Sequence, residues 1–152
     1  MPKNIKNHSK LVLLLAFILL VGLSFTACDI GYSDSVEDTN LTIEEMKEIA
    51  VQIDYSELKR NPEENQNTVV EYYGKIVQRI PDTDNAYRVN ITEGEFVWTD
   101  DVYIRVDYST DNLIEDDIIY FVGITRGDIT YRTVLGSQRT IPLIDVYYAE
   151  LK

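Results

Sequence analysis

The chain of 152 residues contains one cysteine, Cys28, and one histidine, His8, and neither residue type recurs after position 28. One cysteine cannot form an internal disulfide, and a metal site built from several cysteine and histidine ligands is excluded for the rest of the chain. Ser-His-Asp triads and Cys-His pairs are excluded there as well. Catalysis after residue 28 would have to use carboxylates or oxygen-ligated calcium, and no segment has the glycine and alternating acids of a calcium loop. We therefore expect no metal, no cofactor and no catalytic residue.

Basic side chains are also scarce, since 14 lysines and arginines face 26 acidic residues and the formal net charge is −12. Three of the lysines (Lys3, Lys6 and Lys10) precede Cys28, so the remainder holds 11 basic and 26 acidic residues, a formal charge of −15. A charge of this sign opposes approach to phosphate groups. Nucleic acid is thus a disfavoured partner, and so is an anionic membrane surface bound by charge alone.

The segment before Cys28 has the organisation of a bacterial lipoprotein signal peptide. The three lysines are followed by the apolar run Leu11–Leu23 and by Ser24–Ala27, which steps down to small residues. This pattern predicts cleavage before Cys28 and acylation of its thiol. Phe25 stands where such sites usually have leucine. An uncleaved anchor helix and simple secretion are the alternatives; the 17 residues from Leu11 to Ala27 are at the short limit for spanning a bilayer.

This interpretation divides the chain into three parts. Residues 1–27 are the predicted signal peptide, residues 28–40 are the lipidated cysteine with a polar, flexible tether, and residues 41–152 form one small domain. The expected location is the cell membrane, with the lipid-anchored protein on the extracytoplasmic face.

Helical signals open the predicted domain. Thr42 precedes two acids in a capping pattern, and apolar residues recur at helical spacing as far as Ile53, which predicts a helix over Thr42–Ile53. Tyr55–Pro62 is expected to form a turn or a short helical segment.

From Val69 onward apolar residues recur at every second position, which is typical of strands. The predicted strands cover 69–80 with a bend at Gly74, 87–92, 102–108, 118–125, 129–135 and 141–151. The fourth is apolar on both faces, and Arg126-Gly127-Asp128 is expected to turn the chain after it. Five or six strands after a lone helix favour an all-β fold, a small closed barrel, with a β-sandwich as the alternative.

Short motifs spread over about residues 53–150 resemble a group of Gram-positive surface lipoproteins with OB-fold domains, the tRNA_anti-like group. The matching residues are Tyr55, Leu58 and Arg60-Asn61-Pro62; Gly74-Lys75-Ile76; Glu115-Asp116-Asp117 to Gly123; Tyr131, Thr133 and Gly136; and Thr140-Ile141-Pro142-Leu143-Ile144. Asp116 stands where the group often has glycine. The resemblance implies an OB-fold-like barrel of five or six strands, and it does not carry a function.

Strand parity also selects a candidate ligand face. Inward positions hold four tyrosines, which are expected to be core: Tyr72, Tyr87, Tyr108 and Tyr120. Outward positions on the first three strands hold aromatic and cationic side chains: Tyr73, Lys75, Arg79, Arg88, Tyr103 and Arg105. Such a set could stack on rings or anchor a partner on the face that OB-folds use for ligands. The alternative is an ordinary solvated face with cross-strand ion pairs.

Three functions stay open at this point. The first is a non-enzymatic, surface-tethered OB-fold-like module that binds a protein or a cell-envelope ligand. The second is an oligonucleotide-binding OB domain, favoured by the four cations on one face and disfavoured by the overall charge. The third is a carboxylate-dependent hydrolase, for which the number of acidic residues is the only support.

Overall fold

The structure, a computed structural model, describes residues 40–81, 83, 85–107, 112–133 and 135–152. The predicted signal peptide, Cys28 and the tether as far as residue 39 lie outside the described residues. The inward position predicted for Tyr108 lies outside them too.

Two short helices precede the barrel. Helix α1 covers Ile43–Ile49, and its N-cap Thr42 forms the predicted capping box with Glu45. The helix ends earlier than predicted, because Ala50 is extended and Val51 then forms a parallel bridge to Val70. Helix α2 covers Tyr55–Arg60 and is capped by the Asp54 side chain, which accepts a hydrogen bond from the backbone N–H of Ser56.

Five strands close into one barrel in the order β1-β2-β3-β5-β4. Their bounds are β1 Val69–Arg79, β2 Ala86–Glu93, β3 Trp98–Val106, β4 Ile118–Arg132 and β5 Gln138–Leu151. The pair β3–β5 is parallel and the other four pairs are antiparallel. The closed barrel that the strand pattern predicted is thus confirmed, and it is OB-fold-like, as the resemblance implied.

Strand β4 is longer than predicted because Gly127 does not turn the chain. The register of β4 against β5 shifts between Thr125 and Asp128, and Gly127 has φ +78° in this bulge. Several bulges and tight turns place one residue at positive φ, so a glycine is compatible with both and does not distinguish them. The predicted strand over 129–135 is the second half of β4, and the barrel has five strands.

A second bulge lies in β1, between Ile76 and Gln78, and not at Gly74, where a bend was expected. Gly74 meets a packing requirement instead, since a Cβ at this position would come within 2.4 Å of Val89 Cγ1. Asp116 has φ +75°, in the left-handed region that favours glycine. Its N–H donates to the Ile76 carbonyl, so this conformation joins the end of the β3–β4 loop to β1.

The barrel interior is filled by apolar side chains from all five strands, joined by Leu58 of α2. The first half of β4, which corresponds to the predicted strand 118–125, is buried on both faces as predicted, because Met46 of α1 packs on Val122 and Ile124 at its outer side. A third cluster covers part of the outer side of β2 and β3 and contains Ala86, Tyr103, Ile141 and Leu143.

Candidate functional site

Arg88, the centre of the predicted ligand face, is bound by a carboxylate. Its Nε lies 3.0 Å from Asp101 Oδ2, and its Nη1 donates to Gln78 Oε1 at 3.0 Å. Burial would lower the pKa of Arg88, but the hydrogen bonds and charge of Asp101, with smaller contributions from Tyr131, outweigh it and raise that pKa. Arg139 lies 3.5 Å from the same carboxylate. Arg88 therefore presents a neutralised pair and not a free cation.

Arg105 is neutralised in the same way, on the neighbouring strand. Its Nε lies 2.6 Å from Asp145 Oδ1, and Arg126 Nε lies 2.9 Å from Asp145 Oδ2. We call Arg88, Asp101, Arg105 and Asp145 the ion-pair face. Their arrangement matches the alternative of cross-strand ion pairs that parity left open.

Tyr103 points outward as predicted and is nevertheless buried, with 6% of its surface exposed. It packs against Ile141 and Leu143, and its ring centroid lies 6.1 Å from that of Tyr131. Burial raises the pKa of Tyr103. The C-terminal end of β4 and the N-terminal end of β5 thus cover Tyr103, which was expected to be open to a ligand.

Lys75 and Arg79 lie apart from the ion-pair face. Lys75 Nζ is 2.9 Å from Asp116 Oδ1, in a pair whose carboxylate is largely exposed. The bulge in β1 changes the parity after Ile76, so that Gln78 pairs with Arg88, and Arg79 pairs with the buried Tyr87. Arg79 is therefore not on the side of the strand where the simple alternation placed it.

Tyr73 belongs to a different surface, the outer side of β1, β4 and β5. Its ring centroid lies 5.2 Å from that of Tyr120, which in turn lies 6.3 Å from that of Tyr148. We call these three residues the tyrosine face. Lys152 Nζ lies 4.9 Å from the Tyr73 centroid, and Lys47 Nζ lies 3.4 Å from that of Tyr148.

The inward position predicted for Tyr120 is wrong. Ile119 and Phe121 occupy the interior, so the residue between them must point outward. Its hydroxyl donates to Glu71 Oε2 at 2.6 Å. Burial, reinforced by the hydrogen bond and charge of Glu71, raises the pKa of Tyr120 well above its usual range.

A cleft of about 620 Å³ opens at one end of the barrel, between the end of β1 and the loop that joins β4 to β5. It is lined by Gln78, Ile80, Pro81, Arg88, Tyr131, Arg132, Thr133 and Leu135. Leu135 is 94% exposed at its edge. The loops after β1 and β4 are where OB-folds hold ligands, and the volume suits a small ligand or the end of a chain.

The Tyr131 ring forms part of the wall of this cleft, with the Arg88 guanidinium carbon 5.7 Å from the ring centroid. The Tyr131 hydroxyl is buried and forms no hydrogen bond of standard geometry with a described residue, although it lies near enough to the Arg88 guanidinium to contribute to the raised pKa of Arg88. Such a group costs free energy in the folded state.

Arg88 is the only member of the predicted face that lines the cleft. Sequence reasoning missed Gln78 because the bulge in β1 reverses its parity. It missed Tyr131, Arg132 and Leu135 because the ligand face was sought only on the first three predicted strands. The predicted fold could have indicated the cleft, because OB-folds bind ligands at the loops that follow their first and fourth strands.

Within the described residues no group of three or more histidine, cysteine, aspartate and glutamate side chains could hold a metal ion. None of the helices described is both long enough and apolar enough to cross a membrane.

No protein-family model and no curated protein sequence matches this chain. Among solved structures the chain is similar to two crystal structures of Rim1, a mitochondrial single-stranded DNA-binding protein from S. cerevisiae, one of them labelled with selenomethionine. Each is 13% identical, covers 57% of this chain and 95% of Rim1, and has a TM-score of 0.38. A similarity of this size supports no inference about the ligand.

Proposed function

We propose that this protein is a lipid-anchored, non-enzymatic binding module on the extracytoplasmic face of a membrane, and that it holds a protein or cell-envelope ligand in the cleft. The cleft carries the proposal, because it combines a ligand-sized volume with apolar walls at the end of the barrel where OB-folds bind. The signal and Cys28 support the anchor, and the short motifs support membership of the OB-fold lipoprotein group named above.

The ion-pair face supports a ligand other than nucleic acid. A strand of phosphates needs cations whose counterions it can displace. Arg88 and Arg105 are already held by Asp101 and Asp145, and the chain as a whole is acidic. An incoming phosphate would therefore have to compete with Asp101 and Asp145 for these two arginines.

Site-specific photocrosslinking in intact cells tests the proposal. A photoreactive phenylalanine in place of Leu135 should give discrete light-dependent adducts with an envelope component. The same group in place of Phe96, which is 91% exposed in the β2–β3 hairpin, is the matched control and should give none of these adducts. Identical adducts from both positions, or none from Leu135, would contradict a ligand site in the cleft.

Two further measurements test the lipid anchor and the alternative function of nucleic-acid binding. Cys28→Ala should move the protein out of the membrane fraction or leave uncleaved precursor, because two acyl chains hold a protein firmly on a bilayer. Tight, salt-sensitive binding of a single-stranded oligonucleotide, measured by fluorescence anisotropy, would favour the nucleic-acid function instead.

A further inference from the structure

Arg132 differs from three other arginines near the ion-pair face in having no carboxylate partner among the described residues. Arg88, Arg105 and Arg126 each contact an aspartate within the ion-pair distance. Arg132 instead donates from Nε to the Gly136 carbonyl at 3.2 Å. The chain has almost twice as many acidic as basic residues, so an arginine without a carboxylate partner is unusual in it. Arg132 is therefore a candidate for binding an anionic group of a ligand.

The loop that follows β4 holds this side chain at the edge of the cleft. The Thr133 N–H donates to Ser137 O, and the Gly136 N–H donates to Thr133 O, each at 2.8 Å. Gly136 has φ +85°, a conformation that glycine adopts readily, and its carbonyl is the group that accepts the hydrogen bond from Arg132. The bond to Gly136 uses Nε, and neither Nη group has a hydrogen-bond partner among the described residues. Two parallel N–H donors match the geometry of a carboxylate.

The rest of the lining fits an apolar body attached to that anion. Ile80, Pro81 and Leu135 supply apolar surface, and the described lining contains two arginines and no carboxylate. Among the described lining residues an entering acid meets no like charge, in contrast to the acidic character of the chain as a whole.

We propose that the cleft binds an apolar acid, a ligand with a carboxylate at the end of an apolar body, and that Arg132 binds the carboxylate. The inference rests on the proposed function, since it names the chemistry of the ligand in the same cleft. The C-terminus of a peptide with apolar last residues and a free small organic acid share this chemistry.

Calorimetry on the purified domain tests it with three ligands: N-acetyl-leucyl-leucine, the amide of that dipeptide, and 4-phenylbutyrate. The dipeptide acid should bind at least about 10-fold more tightly than its amide, as expected for charge-assisted hydrogen bonds. Preference for the dipeptide over phenylbutyrate would identify a peptide end as the source, and the reverse would identify a small acid.

Variants assign the effect to Arg132. Arg132→Gln should weaken acid binding by roughly 10-fold and leave amide binding unchanged, and Arg132→Lys should give an intermediate loss because it keeps the charge without the paired donors. Arg60→Gln, an equal change of charge on the exposed end of α2, is the control and should alter neither ligand by more than about two-fold. Leu135→Ala should weaken both ligands, since it removes apolar contact common to them.

Equal affinity for acid and amide, no binding of either, or an unchanged acid affinity in Arg132→Gln would overturn the inference. If crosslinking from Leu135 still captures an envelope component in Arg132→Gln cells, the proposed function stands and only the assignment of the carboxylate fails. If crosslinking fails in the wild type as well, the cleft itself is not the site.

Discussion

The ion-pair face and the tyrosine face lie on the same barrel and satisfy their polar groups by different means. On the ion-pair face, arginine and aspartate side chains pair directly, and the side chain of Asp101 is only 9% exposed. On the tyrosine face, the rings contact one another, Tyr120 donates its hydroxyl to Glu71, and lysines lie over the outer rings. Tyr73 remains 45% exposed there.

The difference teaches that outward strand parity does not determine accessibility. Tyr103 and Tyr73 both point out of the barrel, yet the first is covered by the ends of β4 and β5. On the covered face the Arg88–Asp101 pair lies at low exposure, where an unpaired charge is costly. The open face holds charges near solvent, where each contact contributes little.

The largest expected effect is on the ion-pair face. Asp101→Ala should lower the free energy of unfolding by about 3 kcal/mol, because it leaves the largely buried Arg88 without its carboxylate. Urea denaturation measures this change. Glu71→Ala on the tyrosine face is the matched carboxylate deletion and should cost less than about 1 kcal/mol.

The double replacement Arg88→Met with Asp101→Leu should restore most of the loss, since no buried charge is then left unpaired. Equal costs for Asp101→Ala and Glu71→Ala would show that the two faces do not differ in the way proposed.

The second effect concerns Tyr72, which lies beneath the tyrosine face and points inward. Its hydroxyl donates to the Ile53 carbonyl at 2.7 Å and accepts from the Ile53 N–H at 3.1 Å. Burial raises the pKa of Tyr72 to about 12. The unfolded chain loses this proton near pH 10, so the folded state keeps a proton that the unfolded state has released and stability falls as pH rises from about 10 to 12.

The loss from this one group should reach about 2 kcal/mol at pH 12, with none below pH 9. Tyr72→Phe should cost about 1–2 kcal/mol at neutral pH, because both Ile53 groups lose a partner, and should make the alkaline decline shallower. An alkaline decline as steep as in the wild type would show that other groups cause it.

Much of the fold could be predicted because its signals are local or strictly periodic. The capping box at Thr42 and Glu45 lies within four residues, and alternation correctly placed Val89 and Val102 in the core. A bulge breaks this reasoning, because one extra residue reverses the parity that follows, as happens before Arg79.

The candidate site could be predicted less well, for a different reason. Alternation states which side of a strand a residue occupies and not what covers that side. The burial of Tyr103 depends on Ile141 and Leu143, about 40 positions further along the chain. The cleft likewise joins Ile80 to Leu135 across the barrel end. These contacts are set by the closure of the barrel, which no short segment encodes.

A smaller effect is expected from Tyr131, where the ion-pair face meets the cleft. Its hydroxyl is buried without a hydrogen-bond partner in the described structure. Tyr131→Phe should therefore leave the free energy of unfolding unchanged or raise it by up to about 1 kcal/mol, because it removes a desolvated polar group and keeps the ring. Tyr120→Phe, which leaves Glu71 without its donor, should instead be destabilising. Thermal denaturation compares them, and a loss above about 1 kcal/mol for Tyr131→Phe would mean that its hydroxyl is bonded in solution.

The smallest effect tests whether the hydroxyl–carboxylate contact organises the tyrosine face. Glu71→Gln removes the negative charge beside Tyr120 and keeps a side-chain oxygen that can accept its hydrogen bond. The pKa of Tyr120 is raised by burial first and by Glu71 second, so the substitution should lower that pKa only part of the way toward its usual value. The titration of the Tyr120 ring carbon signal by NMR measures the shift, and the free energy of unfolding at neutral pH should change by less than about 1 kcal/mol. If Tyr120 titrates identically in Glu71→Gln and in the wild type, then Glu71 does not influence the tyrosine face, and contacts between the rings alone organise it.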